Sequence, residues 1–92
     1  MILDELEAIL QERKGAAADA SYTAELLHDH DRMQRKIMEE AFELCLELGR
    51  PDVDRERVAS EAADLVFHTL VGLVAAGVAV GEVFAVLEGR RR

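Results

Sequence analysis

Apolar residues recur at the helical spacing along most of the chain, and no segment alternates apolar and polar residues as a half-buried strand does. This pattern predicts an all-α fold, a helical bundle of four to five helices forming a single domain over residues 1–92. The predicted helices run from Ile2 to about Lys14, from Asp31 to Leu48, from the N-cap Asp54 to about Ala76 and from about Gly81 to Glu88, with a short capped helix or turn over residues 21–27.

Small and helix-breaking residues separate these segments. Gly15 and the run 16–20 indicate a loop, and Ser21 or Thr23 can cap the short helix that follows. Gly49 and Pro51 end the second long helix, since glycine permits a left-handed C-cap and proline cannot continue the backbone ladder. Gly77 closes the third long helix in the same way.

The third long helix is apolar in nearly every direction around its axis, so it must be buried on all sides. A 92-residue chain cannot cover it alone, and we expect a homodimer to complete the core. The stretch from Leu65 to Gly81 carries no Asp, Glu, Lys or Arg. It is shorter than the roughly 20 residues of a membrane span and is interrupted by His68, so we interpret it as a buried helix and expect no membrane partner.

Net charge and cysteine content indicate which partners and which cellular compartment to expect. The net charge of −8 argues against a nucleic-acid partner, which requires a basic surface. Cys45 is the only cysteine, which excludes a disulfide within the chain, and acids stand near Met1 where a secretory signal is basic. We therefore expect a cytoplasmic protein.

Aromatic residues make up only 4% of the chain, so we expect a mainly aliphatic core. We expect the side chains of Met33, Met38 and Phe42 and the Cys45 thiol to pack in this core as well.

Acidic residues gather on the second and third long helices. At about 100° per residue, Lys36, Glu39, Glu40 and Glu43 share one stripe. Glu61 and Asp64 lie i, i+3 on the next helix among apolar neighbours, where an unpaired carboxylate is costly. Two antiparallel helices would bring four carboxylates together as an oxygen cage for Mg²⁺ or Mn²⁺, formed by Glu40, Glu43, Glu61 and Asp64. The alternative is that these acids form an ordinary solvated surface.

The combination of an EExxE motif and a following ExxD motif in a small all-α chain resembles the all-α nucleoside triphosphate pyrophosphohydrolases, the MazG-type superfamily. Within it, the chain is similar to the phosphoribosyl-ATP pyrophosphohydrolase family of histidine biosynthesis. The similarity covers most of the chain and is carried by residues 12–14, 21–23, 36–43, 61–68 and 77–88.

The resemblance implies hydrolysis of phosphoribosyl-ATP to phosphoribosyl-AMP and pyrophosphate by a dimeric enzyme. It implies Mg²⁺ held by the four carboxylates of the cage, with Glu39 as a further ligand or as the base that orients water, so that Glu39 and Glu40 are the candidate catalytic residues. The residues expected to contact the substrate are Arg13, Lys14, Ser21, Tyr22, Thr23 and Lys36.

Two other functions fit the same sequence features. One is a house-cleaning pyrophosphohydrolase of the same superfamily that acts on dUTP or a damaged nucleotide. The other is a non-enzymatic helical dimerisation module whose acids only face solvent.

Overall fold

The structure is a computed structural model and describes residues 1–91. Within that range the chain is all-helical and contains no strand, which confirms the predicted fold class. The helices are α1 (Ile2–Lys14), α2 (Tyr22–His28), α3 (His30–Leu48), α4 (Arg55–Ala76) and α5 (Val80–Gly89). Arg92 lies outside the described residues.

The two longest helices, α3 and α4, form an antiparallel pair that is the main packing unit of the fold. Gly72 lies between them: a Cβ built there would stand 3.1 Å from the Met33 sulfur and 3.2 Å from Ile37 Cδ1. At the other end of the pair, the Glu47 carboxylate lies 3.3 Å from Arg57 Nη2. This register places the middle of α3 opposite the middle of α4, where both acidic motifs lie.

The helices α1 and α2 cover the C-terminal half of α4. Leu10, Leu26, Val71 and Val74 are the largest fully buried side chains and form the centre of this aliphatic core. Lys14 Nζ donates a hydrogen bond of 2.9 Å to the Val74 carbonyl, so α1 also satisfies a backbone acceptor near the end of α4.

The helices begin and end close to the capping residues predicted from the sequence, with small differences. Ser21, rather than Thr23, caps α2, because its hydroxyl accepts from the Ala24 amide. The Asp54 carboxylate accepts from two amides in the first turn of α4, and Gly77 ends α4 in the left-handed region at φ 75°. Gly49 ends α3 at φ −84°, so the left-handed cap expected there is wrong.

Large apolar side chains remain exposed on the single chain. Met38, Phe42 and Leu46 lie at i, i+4, i+8 on the outer face of α3, and Cys45 beside them is also exposed. Met38, Phe42 and Cys45, which were expected to pack in the core, are therefore exposed on the single chain, because the acidic stripe of α3, not this face, meets α4. Met33 is buried as expected.

Within residues 1–91, α4 is the one helix whose length and mean hydropathy of 1.5 match a membrane span. Only 22% of that apolar window is buried within the chain. The core helix of a globular protein passes the same test, so this observation is weak evidence for a membrane. It does show that the single chain leaves α4 partly uncovered, as expected from its sequence.

Candidate metal and nucleotide site

Three carboxylates from α3 and α4 converge in the middle of the helix pair. Glu40, Glu43 and Glu61 each offer a carboxylate oxygen, and these atoms lie within 4.8 Å of one another. Glu40 and Glu43 are i, i+3 on the inner face of α3, and Glu61 faces them from the antiparallel α4. We refer to these residues as the acidic triad.

Part of the triad is held out of solvent. Glu40 is buried, and its Oε2 atom has no hydrogen-bond partner within the described chain; neither does the buried Oε2 of Glu61. An unpartnered buried carboxylate oxygen is costly unless a counter-charge satisfies it. These two buried oxygens would be stabilised by a positive counter-charge.

The electrostatics agree with this interpretation. Burial raises the pKa of Glu40, and the nearby Glu43 and Asp64 carboxylates raise it further. Desolvation also raises the pKa of Glu61, and so does a hydrogen bond shared with Glu43. Two carboxyl groups can share such a bond only if one of them holds a proton. The raised pKa values of Glu40 and Glu61 mark two positions where a negative charge is unfavourable without a counter-charge.

The fourth residue of the expected cage, Asp64, is placed differently. Its side chain is exposed, and it does not belong to the group of converging oxygens. Its carboxylate is close enough to raise the pKa of both Glu40 and Glu61. Asp64 therefore lies at the open edge of the triad, near Glu40 and Glu61 but outside the group of converging oxygens.

Glu39 and Lys36 form the rim of the site on α3. The Glu39 side chain is 58% exposed, and its Oε2 lies 3.3 Å from Lys36 Nζ. Lys36 Nζ is also 3.8 Å from Glu40 Oε1. The hydrogen bond with Glu39 is the main cause that raises the pKa of Lys36. The structure thus brings one ammonium group beside the triad and leaves Glu39 accessible to water.

The start of α2 lies next to the same region. Tyr22 projects towards α4, where its hydroxyl lies 3.3 Å from His68 Nε2. The hydroxyl of Ser21 is used as the helix cap and lies 3.5 Å from Arg13 Nη1. Thr23 is half-buried in the first turn of α2. Four of the expected substrate-binding residues therefore gather at the junction of α1 and α2.

Lys14 is placed away from this group. Its ammonium is hydrogen-bonded to the Val74 carbonyl near the C-terminal end of α4. Val74 is ten residues beyond Asp64, about 15 Å along the helix axis. In this arrangement Lys14 holds α1 against α4 and does not face the triad.

The structure adds two residues to the site that the sequence did not assign to it. His68 is buried and connects Tyr22 to the triad, with Nδ1 4.0 Å from Glu40 Oε1. The signal for His68 was its position one turn beyond Asp64 on the same face of α4. The Arg32 guanidinium lies 5.4 Å from the centroid of the Tyr22 ring, and no sequence pattern indicated this contact.

Comparison with known proteins identifies the family. Residues 3–91 match the family described as phosphoribosyl-ATP pyrophosphohydrolase. The chain is 47% identical over 90 residues to the phosphoribosyl-ATP pyrophosphatase of Cereibacter sphaeroides strain ATCC 17029, covering 97% of this chain and 85% of that protein.

More distant relatives carry the same name. The phosphoribosyl-ATP pyrophosphatase of Trichlorobacter lovleyi is 42% identical over 90 residues, covering 97% of this chain and 82% of that protein. The phosphoribosyl-ATP pyrophosphatase of Methanopyrus kandleri is 39% identical over 97 residues, covering 99% of this chain and 95% of that protein. With its helices and acidic motifs in the expected order, the chain belongs to the phosphoribosyl-ATP pyrophosphohydrolase family.

Proposed function

We propose that this protein hydrolyses phosphoribosyl-ATP between the α- and β-phosphates, giving phosphoribosyl-AMP and pyrophosphate for histidine biosynthesis. Family membership over residues 3–91 supports the reaction. We assign the reaction to the acidic triad because buried oxygens of Glu40 and Glu61 there have no hydrogen-bond partner in the described chain. An anionic triphosphate can approach such a site only with cations between the two sets of negative charge.

The residues present fit Mg²⁺, with Mn²⁺ as a substitute. All the donors are carboxylate oxygens, which are the ligands of hard divalent cations. Glu40, Glu43 and Glu61 would hold the ion, and Asp64 at the open edge would complete the set. When bound, the cation would polarise the phosphoryl oxygens and lower the pKa of a nearby water molecule.

The rim residues would act directly on substrate and water. Glu39 is exposed beside the triad and would accept a proton from the attacking water, as a general base. Lys36 would exchange its contacts with Glu39 and Glu40 for a substrate phosphate, which would also free the Glu39 carboxylate. Arg13, Ser21 and Thr23 would bind the far side of the nucleotide, while the placement of Lys14 favours a structural role.

We further propose that the protein is a homodimer, in which a second copy covers the outer face of α3. Met38, Phe42 and Leu46 on that face are 71%, 63% and 56% exposed in the single chain. An apolar stripe at i, i+4, i+8 is suited to pack against its own copy about a two-fold axis. The exposed Cys45 on the same face and the acidic net charge favour a reducing cytoplasm and disfavour a nucleic-acid partner.

A substrate panel tests the reaction. Purified protein with Mg²⁺ is incubated with phosphoribosyl-ATP, ATP, dUTP and the other deoxynucleoside triphosphates, and pyrophosphate release is measured. We expect release from phosphoribosyl-ATP at a rate at least about 100-fold above the other nucleotides; turnover confined to dUTP or another nucleoside triphosphate would contradict the histidine-pathway assignment.

Two variants locate the reaction at the triad. Glu40→Gln and Asp64→Asn should each lower the turnover by about 100-fold or more while the helical circular dichroism is unchanged. Glu56→Gln, which removes one charge from the exposed first turn of α4, is the matched control and should keep full activity. Unchanged turnover in both site variants would contradict the assigned site.

A further inference from the structure

The first two turns of α3 place a second cation in line with the acidic triad. Arg32, Lys36 and Glu40 follow one another at i, i+4 and i+8 on α3, so they share one face of the helix. Their side chains become less exposed in that order, from 37% for Arg32 through 31% for Lys36 to 9% for Glu40. This face therefore leads from the accessible start of α3 to the triad.

Contacts outside α3 connect the Arg32 guanidinium to the surface around the triad. The guanidinium carbon lies 5.4 Å from the centroid of the Tyr22 ring, in a cation–π contact. The hydroxyl of the same tyrosine lies 3.3 Å from His68 Nε2, and the other ring nitrogen of that histidine lies 4.0 Å from Glu40 Oε1. Arg32 thus borders the same surface as the triad, eight residues or about 12 Å from Glu40 along the helix axis.

The guanidinium of Arg32 has donors available for a ligand. Its Nη1 atom is paired with the Glu25 carboxylate. Both side chains are accessible to water, and an ion pair between accessible side chains contributes little to stability, so a ligand can compete with it. A guanidinium carries five N–H donors in a planar fork that matches two oxygens of a phosphate group. Arg32 is therefore suited to bind a phosphate that reaches the start of α3.

The proposed substrate carries phosphate groups at two ends. Its triphosphate must reach the triad for the bond between the α- and β-phosphates to be cleaved there. A single phosphate stands on the added ribose, at the opposite end of the nucleoside, and ATP lacks this group. A cation on the same surface as the triad, but at a distance from it, can distinguish the two nucleotides, and Arg32 meets both conditions.

We propose that Arg32 binds the single phosphate of the phosphoribosyl group and is a specificity-determining residue for phosphoribosyl-ATP over ATP. The inference rests on the proposed function for the identity of the substrate. With its net charge of −8 the chain as a whole repels an anion, so this end of the substrate needs a local cation. Lys36 and Arg32, on one face of α3, then bind the two ends of the substrate.

Two nucleotides that differ only in the phosphoribosyl group test the assignment. The affinities of phosphoribosyl-AMP and of AMP are measured by calorimetry in the presence of Mg²⁺. Arg32→Gln should weaken phosphoribosyl-AMP binding by about 10- to 100-fold, as expected for one lost charge-assisted contact, and should change AMP binding by less than about twofold. Equal weakening of both nucleotides, weakening of AMP alone, or no change in either would overturn the proposal.

Three further variants separate Arg32 from a general effect of charge. Arg32→Lys should lose less of the phosphoribosyl-AMP affinity than Arg32→Gln, because an ammonium keeps the charge but not the planar fork. Arg90→Gln removes the same charge from the exposed end of α5 and is the matched control, which should leave both affinities unchanged. Arg13→Gln tests the other arginine near the start of α2. Loss of the preference for phosphoribosyl-AMP in Arg13→Gln, with its retention in Arg32→Gln, would overturn the assignment to Arg32.

Turnover shows whether the contact acts on binding or on the chemical step. Arg32→Gln should raise KM for phosphoribosyl-ATP by about 10-fold or more and keep kcat within about threefold, because a contact remote from the cleaved bond is the same in the ground state and in the transition state. A fall in kcat at unchanged KM would overturn the proposed role. Failure of the unaltered protein to hydrolyse phosphoribosyl-ATP would instead refute the proposed function, whereas hydrolysis with an unchanged KM in Arg32→Gln would refute this inference alone.

Discussion

The chemistry of the site depends on carboxylates that are held partly out of water. Glu40 and Glu61 have raised pKa values because of burial and of the acids around them. In the metal-free protein these groups oppose folding at neutral pH, since charge must be kept where solvent is scarce. The same feature would favour the binding of the proposed divalent cation.

The raised pKa values predict an unusual dependence of stability on pH. In the window above the ordinary carboxyl pKa of about 4.3, the folded chain binds more protons at Glu40 and Glu61 than the unfolded chain does. The contribution of these groups to the free energy of unfolding therefore falls as pH rises through that window. The variant E40Q/E61Q should melt at a higher temperature than the metal-free wild type at neutral pH.

Thermal melts followed by circular dichroism at a series of acidic pH values test the predicted direction of this pH dependence. The difference in melting temperature between the variant and the wild type should shrink as the pH falls towards the ordinary carboxyl pKa, because the native acids then become protonated. Saturating Mg²⁺ should stabilise the wild type and leave the variant unchanged. A wild type that is more stable than the variant at neutral pH without metal would contradict the electrostatic explanation.

At the scale of the helices, local sequence signals were sufficient to predict most helix boundaries to within one or two residues. The bounds of α1 were predicted to the residue, because the apolar stripe starts at Ile2 and the small-residue loop follows Lys14. The start of α3 was predicted at Asp31, one residue late, because no N-cap was assigned and Asp29 supplies it.

A pair of glycine substitutions tests how α4 ends. Gly77 has a left-handed φ of 75°, whereas Gly81 lies in the first turn of α5, where an added Cβ would meet only open space. Gly77→Ala should lower the free energy of unfolding by about 1–2 kcal/mol through backbone strain. Gly81→Ala should raise it by up to about 1 kcal/mol through helix propensity.

Urea denaturation of the two glycine variants provides the measurement. Both changes add one methyl group, so their comparison separates backbone conformation from side-chain size. Equal stability changes of the same sign in the two variants would contradict the assigned C-cap.

The sequence could not predict the directions in which the side chains of the site residues point. Helical periodicity placed Glu40, Glu43 and Glu61 on facing stripes, and the structure brings them together. Periodicity could not indicate that Asp64 stays at the open edge or that Lys14 turns to the Val74 carbonyl. Those outcomes depend on how far apart the helices lie and on which backbone acceptors remain free, and neither property is local in sequence.

At the scale of the whole molecule, one face of the single chain exposes several large apolar side chains. The sequence indicated this through the apolar character of α4, but the most exposed apolar side chains of the structure include Met38 and Phe42 on the outer face of α3. Periodicity assigned these residues to a core without specifying which chain contributes the other half. The homodimer remains a prediction, and its apolar stripe lies on a different face of α3 from Glu40 and Glu43 of the acidic triad.

Sedimentation tests the assembly. The wild type should sediment as a dimer at micromolar concentration, and Phe42→Glu should sediment as a monomer because it places a charge in the apolar stripe. Gln11→Glu, an exposed polar position on α1, is the control and should remain dimeric. A monomeric wild type, or a dimeric Phe42→Glu variant, would contradict the proposed interface.

Calorimetric titration of the purified protein with Mn²⁺ and Mg²⁺ tests the central claim, the metal site on α3 and α4, most directly. We predict saturable binding by the wild type and by Glu56→Gln, and affinity weakened by about 100-fold or more in Glu40→Gln and Glu61→Gln. Absence of binding by the wild type, or equal binding by all four proteins, would contradict the proposed metal site.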